Sequence, residues 1–129
     1  MLKTNEERAA MTPPFIFMDL RTPDTEASRR FYTELFSWTV ADVPAGPASV
    51  PMFVDAEGPW GGFTPLAADD ARPPQWIPYA PVTRLDDAAR RATELGATVV
   101  RPRVDFPAGS VIVIQDPNGA TIALWEAHA

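Results

Sequence analysis

The stretch "DPNGATIALWE", residues 116–126, decides the fold of this 129-residue chain. Residues 116–119 are of the types that form tight turns, and residues 120–126 after them predict a short strand. Because side chains alternate along a strand, Ile122 and Leu124 are expected to face one side and their neighbours the other. The apolar pair predicts packing against a helix.

This strand closes the second of two similar units. "SRRFYTELFSWTV" (28–40) resembles "ARRATELGATVV" (89–100). The two stretches share the segments Arg-Arg, Thr-Glu-Leu and Thr-Val, about 60 residues apart. Two copies at this spacing indicate a pseudo-symmetric fusion. Periodicity and turn residues predict one strand, one helix and three strands in each unit. The predicted strands are 14–20, 38–43, 49–55, 59–66, 76–82, 98–104, 110–116 and 120–126. The first predicted helix begins after Asp24, with Thr22 or Asp24 as its cap. The second predicted helix spans 85–96, where Gly96 ends it.

These elements predict an α+β fold of two tandem βαβββ modules, whose curved mixed sheet surrounds a concave cleft. We expect a flexible N-terminal arm at 1–12, a first module at 13–66, a linker at 67–75 and a second module at 76–127, all in one structural domain. Function is expected in the cleft, because ligand sites are concave.

Composition excludes several function classes. A net charge of −6 opposes binding to nucleic acid, and the absence of cysteine removes thiolate nucleophiles and Cys-based metal sites. No stretch approaches the roughly 18–20 apolar residues of a membrane span, and residues 1–11 lack the apolar core of a signal peptide. We therefore expect a cytoplasmic protein with neither a nucleic-acid nor a membrane partner.

With "FYTELFSW" (31–38) ending the first helix and "DPNGATIALWE" ending the second unit, the chain resembles the vicinal oxygen chelate superfamily from about Pro14 to Ala127. This superfamily includes glyoxalase I, extradiol dioxygenases, fosfomycin-modifying enzymes and bleomycin-resistance proteins. In the enzymes of this superfamily, His or Glu residues from the first and fourth strands of each module hold a divalent metal. The resemblance implies that the same strand positions can be located in this chain.

In this sequence the four metal-ligand positions carry no ligand atom. They fall on Phe17, Ile77, Ala123 and, by a looser alignment, Gly62. The single histidine, His128, is second from the end and is read as a solvated tail residue. We therefore expect neither metal nor other cofactor, and we assign no catalytic residue.

The residues expected to bind a ligand follow from strand parity and from the resemblance. Aromatic rings would supply stacking, and Asp19, Thr64 and Gln115 would supply hydrogen bonds. Any single ring could instead fill the core. The predicted ligand-binding residues are Phe17, Asp19, Trp38, Phe53, Trp60, Gly62, Thr64, Trp76, Tyr79, Gln115, Ala123 and Trp125.

The resemblance then implies a binding protein of the bleomycin-resistance type, a homodimer that sequesters a hydrophobic or aromatic antibiotic or other natural product. One alternative is a metal-independent isomerase, cyclase or lyase that uses Asp19 or a tyrosine as acid or base. Another is a regulatory domain whose cleft binds a protein partner. The sequence leaves open whether the protein is an enzyme.

Overall fold

The structure, a computed structural model, describes residues 14–128. The predicted arm at 1–12 lies outside this range. The element order matches the prediction, with the expected strands and helix in each module. The elements are β1 (Phe17–Thr22), α1 (Thr25–Phe36), β2 (Thr39–Ala45), β3 (Ala48–Asp55), β4 (Gly58–Pro65), β5 (Gln75–Pro81), α2 (Leu85–Glu94), β6 (Thr98–Phe106), β7 (Gly109–Gln115) and β8 (Thr121–Ala127).

The eight strands form one sheet in the order β2-β3-β4-β1-β5-β8-β7-β6. Each module contributes four neighbouring strands, and its first and fourth strands are parallel. The modules join where β1 pairs with β5 in antiparallel fashion. The predicted α+β fold with a curled mixed sheet is confirmed.

Side-chain carboxylates cap both helices. Asp24 Oδ1 accepts a hydrogen bond of 3.0 Å from the Ala27 amide at the start of α1. Glu126 Oε1, on β8, accepts one of 2.7 Å from the Leu85 amide at the start of α2. α2 ends just before Gly96, whose φ of 103° requires glycine as predicted. Neither described helix is long and apolar enough to cross a membrane.

The second module has apolar layers on both faces of its sheet. α2 packs through Leu85 and Ala89 onto a buried layer that includes Ile112, Ile114 and Leu124. The opposite face carries a second buried cluster, formed by Ile77, Val111, Val113 and Ala123. This arrangement confirms the side-chain directions predicted for residues 120–126.

The first module has an aromatic core beneath α1. Phe53 is fully buried at its centre and stacks on Trp60 at a ring-centroid distance of 5.0 Å. Trp76 Nε1 donates a hydrogen bond of 2.9 Å to the Tyr32 hydroxyl. Ring contacts tie these side chains into a single unit that we call the aromatic cluster: Tyr32, Phe36, Trp38, Phe53, Trp60 and Trp76.

Candidate functional site

The concave face of the sheet holds a cleft with a volume of about 630 Å³. Both modules line it, including the tips of the β2–β3 and β6–β7 hairpins. At these tips a Cβ on Gly46 would lie 3.7 Å from Cγ of Pro107, so the hairpins approach each other closely. A cleft of this volume fits a drug-sized molecule.

Half of the residues predicted to bind a ligand line this cleft: Phe17, Asp19, Gly62, Thr64, Tyr79 and Trp125. Ala123 faces the same side but is fully buried beneath the surface, among Ile77 and Val113. Gln115 lies at the end of β7, paired with Thr121, and does not line the cleft. Whether any of these residues contacts a ligand stays a prediction.

The other four predicted residues, Trp38, Phe53, Trp60 and Trp76, belong to the aromatic cluster beneath α1. Their predicted place in the cleft was wrong. For Phe53 the reason is strand parity, which reverses every side chain when the register moves by one residue. Met52 pairs with the cleft residue Gly62, so Phe53 must face α1.

Three aromatic rings form a continuous wall of the cleft across both modules. The ring centroids of Phe17 and Tyr79 are 5.4 Å apart, and those of Tyr79 and Trp125 are 6.0 Å apart. Gly62 lies beneath Phe17, because a Cβ there would come within 3.2 Å of the ring carbon Cζ. The ring planes are tilted by 56° between Phe17 and Tyr79 and by 40° between Tyr79 and Trp125. A flat molecule can therefore stack on the face of one ring and contact the edges of the others.

A group of polar residues lies on the same face; we call Asp19, Arg21, Thr64 and Arg101 the polar floor. Thr64 Oγ1 donates a hydrogen bond of 2.7 Å to Asp19 Oδ2. Arg21 Nε is 3.9 Å from the same oxygen, and both side chains are almost fully buried. Burial raises the pKa of Asp19, and the Thr64 hydrogen bond, Arg21 and Arg101 offset part of that rise.

Tyr79 is a neutral hydrogen-bonding group in this site. Burial, and secondarily the charge of Asp19, raise the pKa of Tyr79 to about 12. Its phenol therefore stays protonated at neutral pH. Of the acid and base groups proposed from the sequence, Asp19 and Tyr79 line the cleft.

Sequence reasoning missed Arg21 and Arg101. Arg101 enters the cleft because of a bulge: Val99 pairs with Ile114, yet Arg101 pairs with Val113 instead of Ile112. Val113 belongs to the cluster on the cleft face, so the extra residue turns Arg101 toward the cleft. No signal in the sequence marks this bulge, but the i, i+2 spacing from Asp19 could have placed Arg21 on the cleft face.

The four positions that resemble metal-ligand positions lie close together on the sheet. Gly62 and Ile77 each pair with Asp19, and Tyr79 pairs with Phe17 and Ala123. None of the four side chains has a ligand atom. Within residues 14–128 no group of three His, Cys, Asp or Glu side chains could hold a metal ion. These residues do not fit the divalent metal of the family's enzymes.

His128 lies away from the cleft and has a structural partner. Its Nε2 is 2.8 Å from the Ser110 hydroxyl, which also donates to Asp105. In a catalytic triad the aspartate bonds the histidine, and the histidine bonds the serine. Here Asp105 bonds Ser110 instead of His128, and Ser110 is fully buried, so these residues do not form such a triad. They anchor the end of β8 against β7.

Comparison with known proteins agrees with this architecture. Residues 15–125 match the family model described as "Glyoxalase-like domain". "Putative glyoxylase CFP32" of Mycobacterium bovis is 33% identical over 133 residues, which cover 99% of this chain and 50% of that protein. "Anthracycline biosynthesis protein DauV" of Streptomyces sp. (strain C5) is 30% identical over 110 residues, which cover 85% of this chain and 40% of that protein.

The chain thus spans half the length, or less, of these curated relatives. Among solved structures, hypothetical protein BH1468 of Bacillus halodurans C-125 superposes with a TM-score of 0.61 at 10% identity, over 89% of this chain and 94% of that one. That likeness shows the fold alone. Together, the family match and the paired βαβββ modules show that the chain belongs to the glyoxalase-like domain family, within the vicinal oxygen chelate superfamily.

Proposed function

We propose that this protein binds a hydrophobic, aromatic small molecule in its cleft and sequesters it unchanged. The observation that carries the proposal is the wall of Phe17, Tyr79 and Trp125, which spans both modules beside a cavity of about 630 Å³. Aromatic rings bury large areas and add about 0.5–1.5 kcal/mol each when they stack well.

The residues at the family's metal positions support binding over metal-dependent catalysis. Gly62 leaves room for the Phe17 ring, and Ala123 packs in the buried cluster beneath the cleft. The chain therefore uses these positions for packing. Metal independence is part of the proposal.

One relative suggests a ligand class. DauV is named for anthracycline biosynthesis, and anthracyclines are flat polycyclic aromatic compounds. A natural product of that kind can contact the aromatic wall, which supports an antibiotic or related metabolite as the ligand. A resistance role through sequestration is part of the proposal.

A second candidate function is acid–base catalysis on the same ligand. It is favoured by Asp19, whose pKa is raised by burial and whose Oδ2 is held by Thr64. A buried carboxyl group with a raised pKa is suited to proton transfer. A metal-independent isomerase, cyclase or lyase would use Asp19 in this way.

We also propose a cytoplasmic homodimer. The resemblance to bleomycin-resistance proteins supports it, and so do Phe15 and Ile16, which are 42% and 51% exposed before β1. A dimer would shield such apolar surface. Light scattering after size-exclusion chromatography would give the mass: twice the chain mass supports the proposal, and a monomer contradicts it.

Native mass spectrometry combined with product analysis tests the main proposal. The protein is incubated with an anthracycline and, separately, with anthracene-2-carboxamide, and the bound molecule is then identified. A stoichiometric complex from which the added compound is recovered chemically unchanged supports sequestration. Recovery of a different compound supports catalysis, and chromatography and NMR against the starting compound detect an isomer of equal mass. No complex with either compound contradicts both functions.

Tryptophan fluorescence supplies an independent measurement with an internal control. Trp125 lines the cleft, whereas Trp38, Trp60 and Trp76 lie in the aromatic cluster. Ligand quenching is expected to be much weaker in Trp125→Phe than in wild type. Equal quenching in both proteins would place the ligand elsewhere.

A further inference from the structure

The polar floor carries two guanidinium groups and one carboxylate. Asp19 and Arg101 line the cleft, whereas Arg21 is buried on the same face and does not line it. The positive charges of Arg21 and Arg101 both lower the pKa of Asp19, so both guanidinium groups interact electrostatically with this carboxyl group. Asp19 balances one of these charges. One positive charge therefore remains beside an apolar cavity, in a chain whose overall net charge is −6.

Arg21 has hydrogen-bonding capacity that the fold does not use. Its side chain is only 4% exposed, yet its Nε atom has no hydrogen-bond partner among residues 14–128. The nearest carboxylate oxygen, Asp19 Oδ2, is 3.9 Å away and already accepts a hydrogen bond from Thr64. A buried hydrogen-bond donor without an acceptor costs free energy. An acceptor placed near Arg21 would interact favourably with its positive charge.

Arg101 is directed into the cleft by the backbone. Without the bulge in β6 it would stand opposite Ile112, on the face covered by α2. Bulges often re-aim a side chain next to a functional site. Among residues 14–128 the ion pairs found leave Arg101 without a carboxylate partner.

A guanidinium next to an apolar cavity is satisfied by an oxygen acceptor, and most strongly by an anionic one. The remaining positive charge opposes a cationic ligand, since charges interact strongly where water is displaced. The aromatic wall and the polar floor thus suit a single molecule with two different ends.

We propose that the cleft selects an aromatic ligand that bears an anionic oxygen group, such as a carboxylate or an ionised phenol, and that Arg101 contacts this group. The inference rests on the proposed function, because it assumes an aromatic ligand in this cleft. It adds the chemical class that the polar floor recognises.

Three probes with the same ring system test the charge preference. Anthracene-2-carboxylate, the neutral anthracene-2-carboxamide and the cationic anthracen-2-ylmethylammonium are titrated into the protein at pH 7. We expect the carboxylate to bind about tenfold more tightly than the carboxamide, as one charge-assisted contact warrants, and the ammonium to bind most weakly. A carboxylate-to-carboxamide ratio near one, or tighter binding of the ammonium, would overturn the inference.

Charge variants show whether Arg101 is the contact. Arg101→Met is expected to bring the ratio close to one while the affinity for the carboxamide stays nearly unchanged, and Arg101→Lys should keep part of the preference. Arg90→Met is the matched control, because it removes the same charge from the exposed surface of α2. An undiminished preference in Arg101→Met contradicts the assignment.

To separate an ionised phenol from a carboxylate, 2-anthrol is titrated at pH values on either side of its own pKa. Tighter binding of the ionised form would extend the preference to phenolates, and equal binding of both forms would contradict that extension. If none of the four probes binds, the proposed function itself fails, and the inference fails with it.

Discussion

The indole of Trp125 lies against the backbone of Gly109 on the neighbouring strand. A Cβ on Gly109 would come within 2.7 Å of the indole carbon Cε2 and within 2.6 Å of the carbonyl oxygen of Glu126. Only glycine leaves this space. The position of one wall of the cleft is therefore set by the absence of a side chain at the start of β7.

Gly109→Ala is expected to displace Trp125 and to weaken binding of an aromatic ligand. Overpacking of this kind typically costs about 1–3 kcal/mol of stability. Urea denaturation and a fluorescence titration measure the two effects. Ala127→Gly, opposite Gly109 in the ladder, is a control that adds no atoms and should bind normally. Unchanged binding in Gly109→Ala would refute this role of the glycine.

Phe17 and Phe53 should respond differently to truncation. Phe53 is fully buried, so Phe53→Ala is expected to cost about 3–5 kcal/mol in the free energy of unfolding. Phe17 lines the cleft and is only partly buried, so Phe17→Ala should cost less stability. It should weaken ligand binding by about 0.5–1.5 kcal/mol. If Phe17→Ala fails to fold, the ring is core rather than cleft wall.

Asp19 should make stability depend on pH in an unusual direction. Burial raises its pKa in the folded state, so the folded chain holds a proton at pH values where the unfolded chain has released it. The free energy of unfolding of wild type, relative to that of Asp19→Asn, should therefore fall as pH rises above about 4, the ordinary pKa of an aspartate side chain. Denaturant titrations across this range give the difference.

The pKa of Asp70 is shifted in the opposite direction from that of Asp19, so its effect on the pH dependence of stability should be opposite. Its hydrogen bonds with Arg72 lower its pKa to about 2, so its contribution to stability should be present above the usual carboxyl pKa and lost as pH falls toward 2. Identical pH profiles for Asp19→Asn and Asp70→Asn would contradict both assignments.

The carboxylate of Glu126 should stabilise α2 from outside the helix. Glu126→Ala removes the acceptor for the Leu85 amide and is expected to cost about 1 kcal/mol. Glu126→Gln keeps an acceptor and should cost less. Glu94→Ala, whose side chain is exposed at the other end of α2, is the control. Equal stability of wild type and Glu126→Ala in thermal denaturation would exclude a capping role.

Metal removal should leave the protein unchanged. Because Phe17, Gly62, Ile77 and Ala123 offer no ligand atoms, dialysis against a chelator is expected to alter neither the melting temperature nor ligand affinity. Elemental analysis of the untreated protein is the second measurement. A stoichiometric, tightly bound divalent metal would contradict the mapping of these four positions.

The order of elements was predictable because turn residues and apolar periodicity mark each boundary. Side-chain direction was predictable where the strand is regular, as for Phe17, Asp19 and Tyr79 in β1 and β5. Residues 120–126 follow directly from the turn at 116–119, and their two faces were assigned correctly.

In less regular strands the same reasoning failed. A register shift in β6 reverses the side-chain parity beyond it, so the sequence gave no sign that Arg101 enters the cleft. Phe53 was placed in the cleft because the sequence does not fix the register of β3, in which Met52 and not Phe53 stands opposite Gly62. A bulge depends on the pairing of two distant strands, which single-sequence periodicity does not contain.

The pairing of β1 with β5 has a mechanical consequence. Five residue pairs join the two modules, and Trp76 of the second module packs in the aromatic cluster of the first. Phe17 and Tyr79 form one of these pairs, and both rings line the cleft. A molecule resting on them also meets the hairpin tips of both modules, so it acts as a removable crosslink. The amides along this junction should then exchange with solvent more slowly when the cleft is filled.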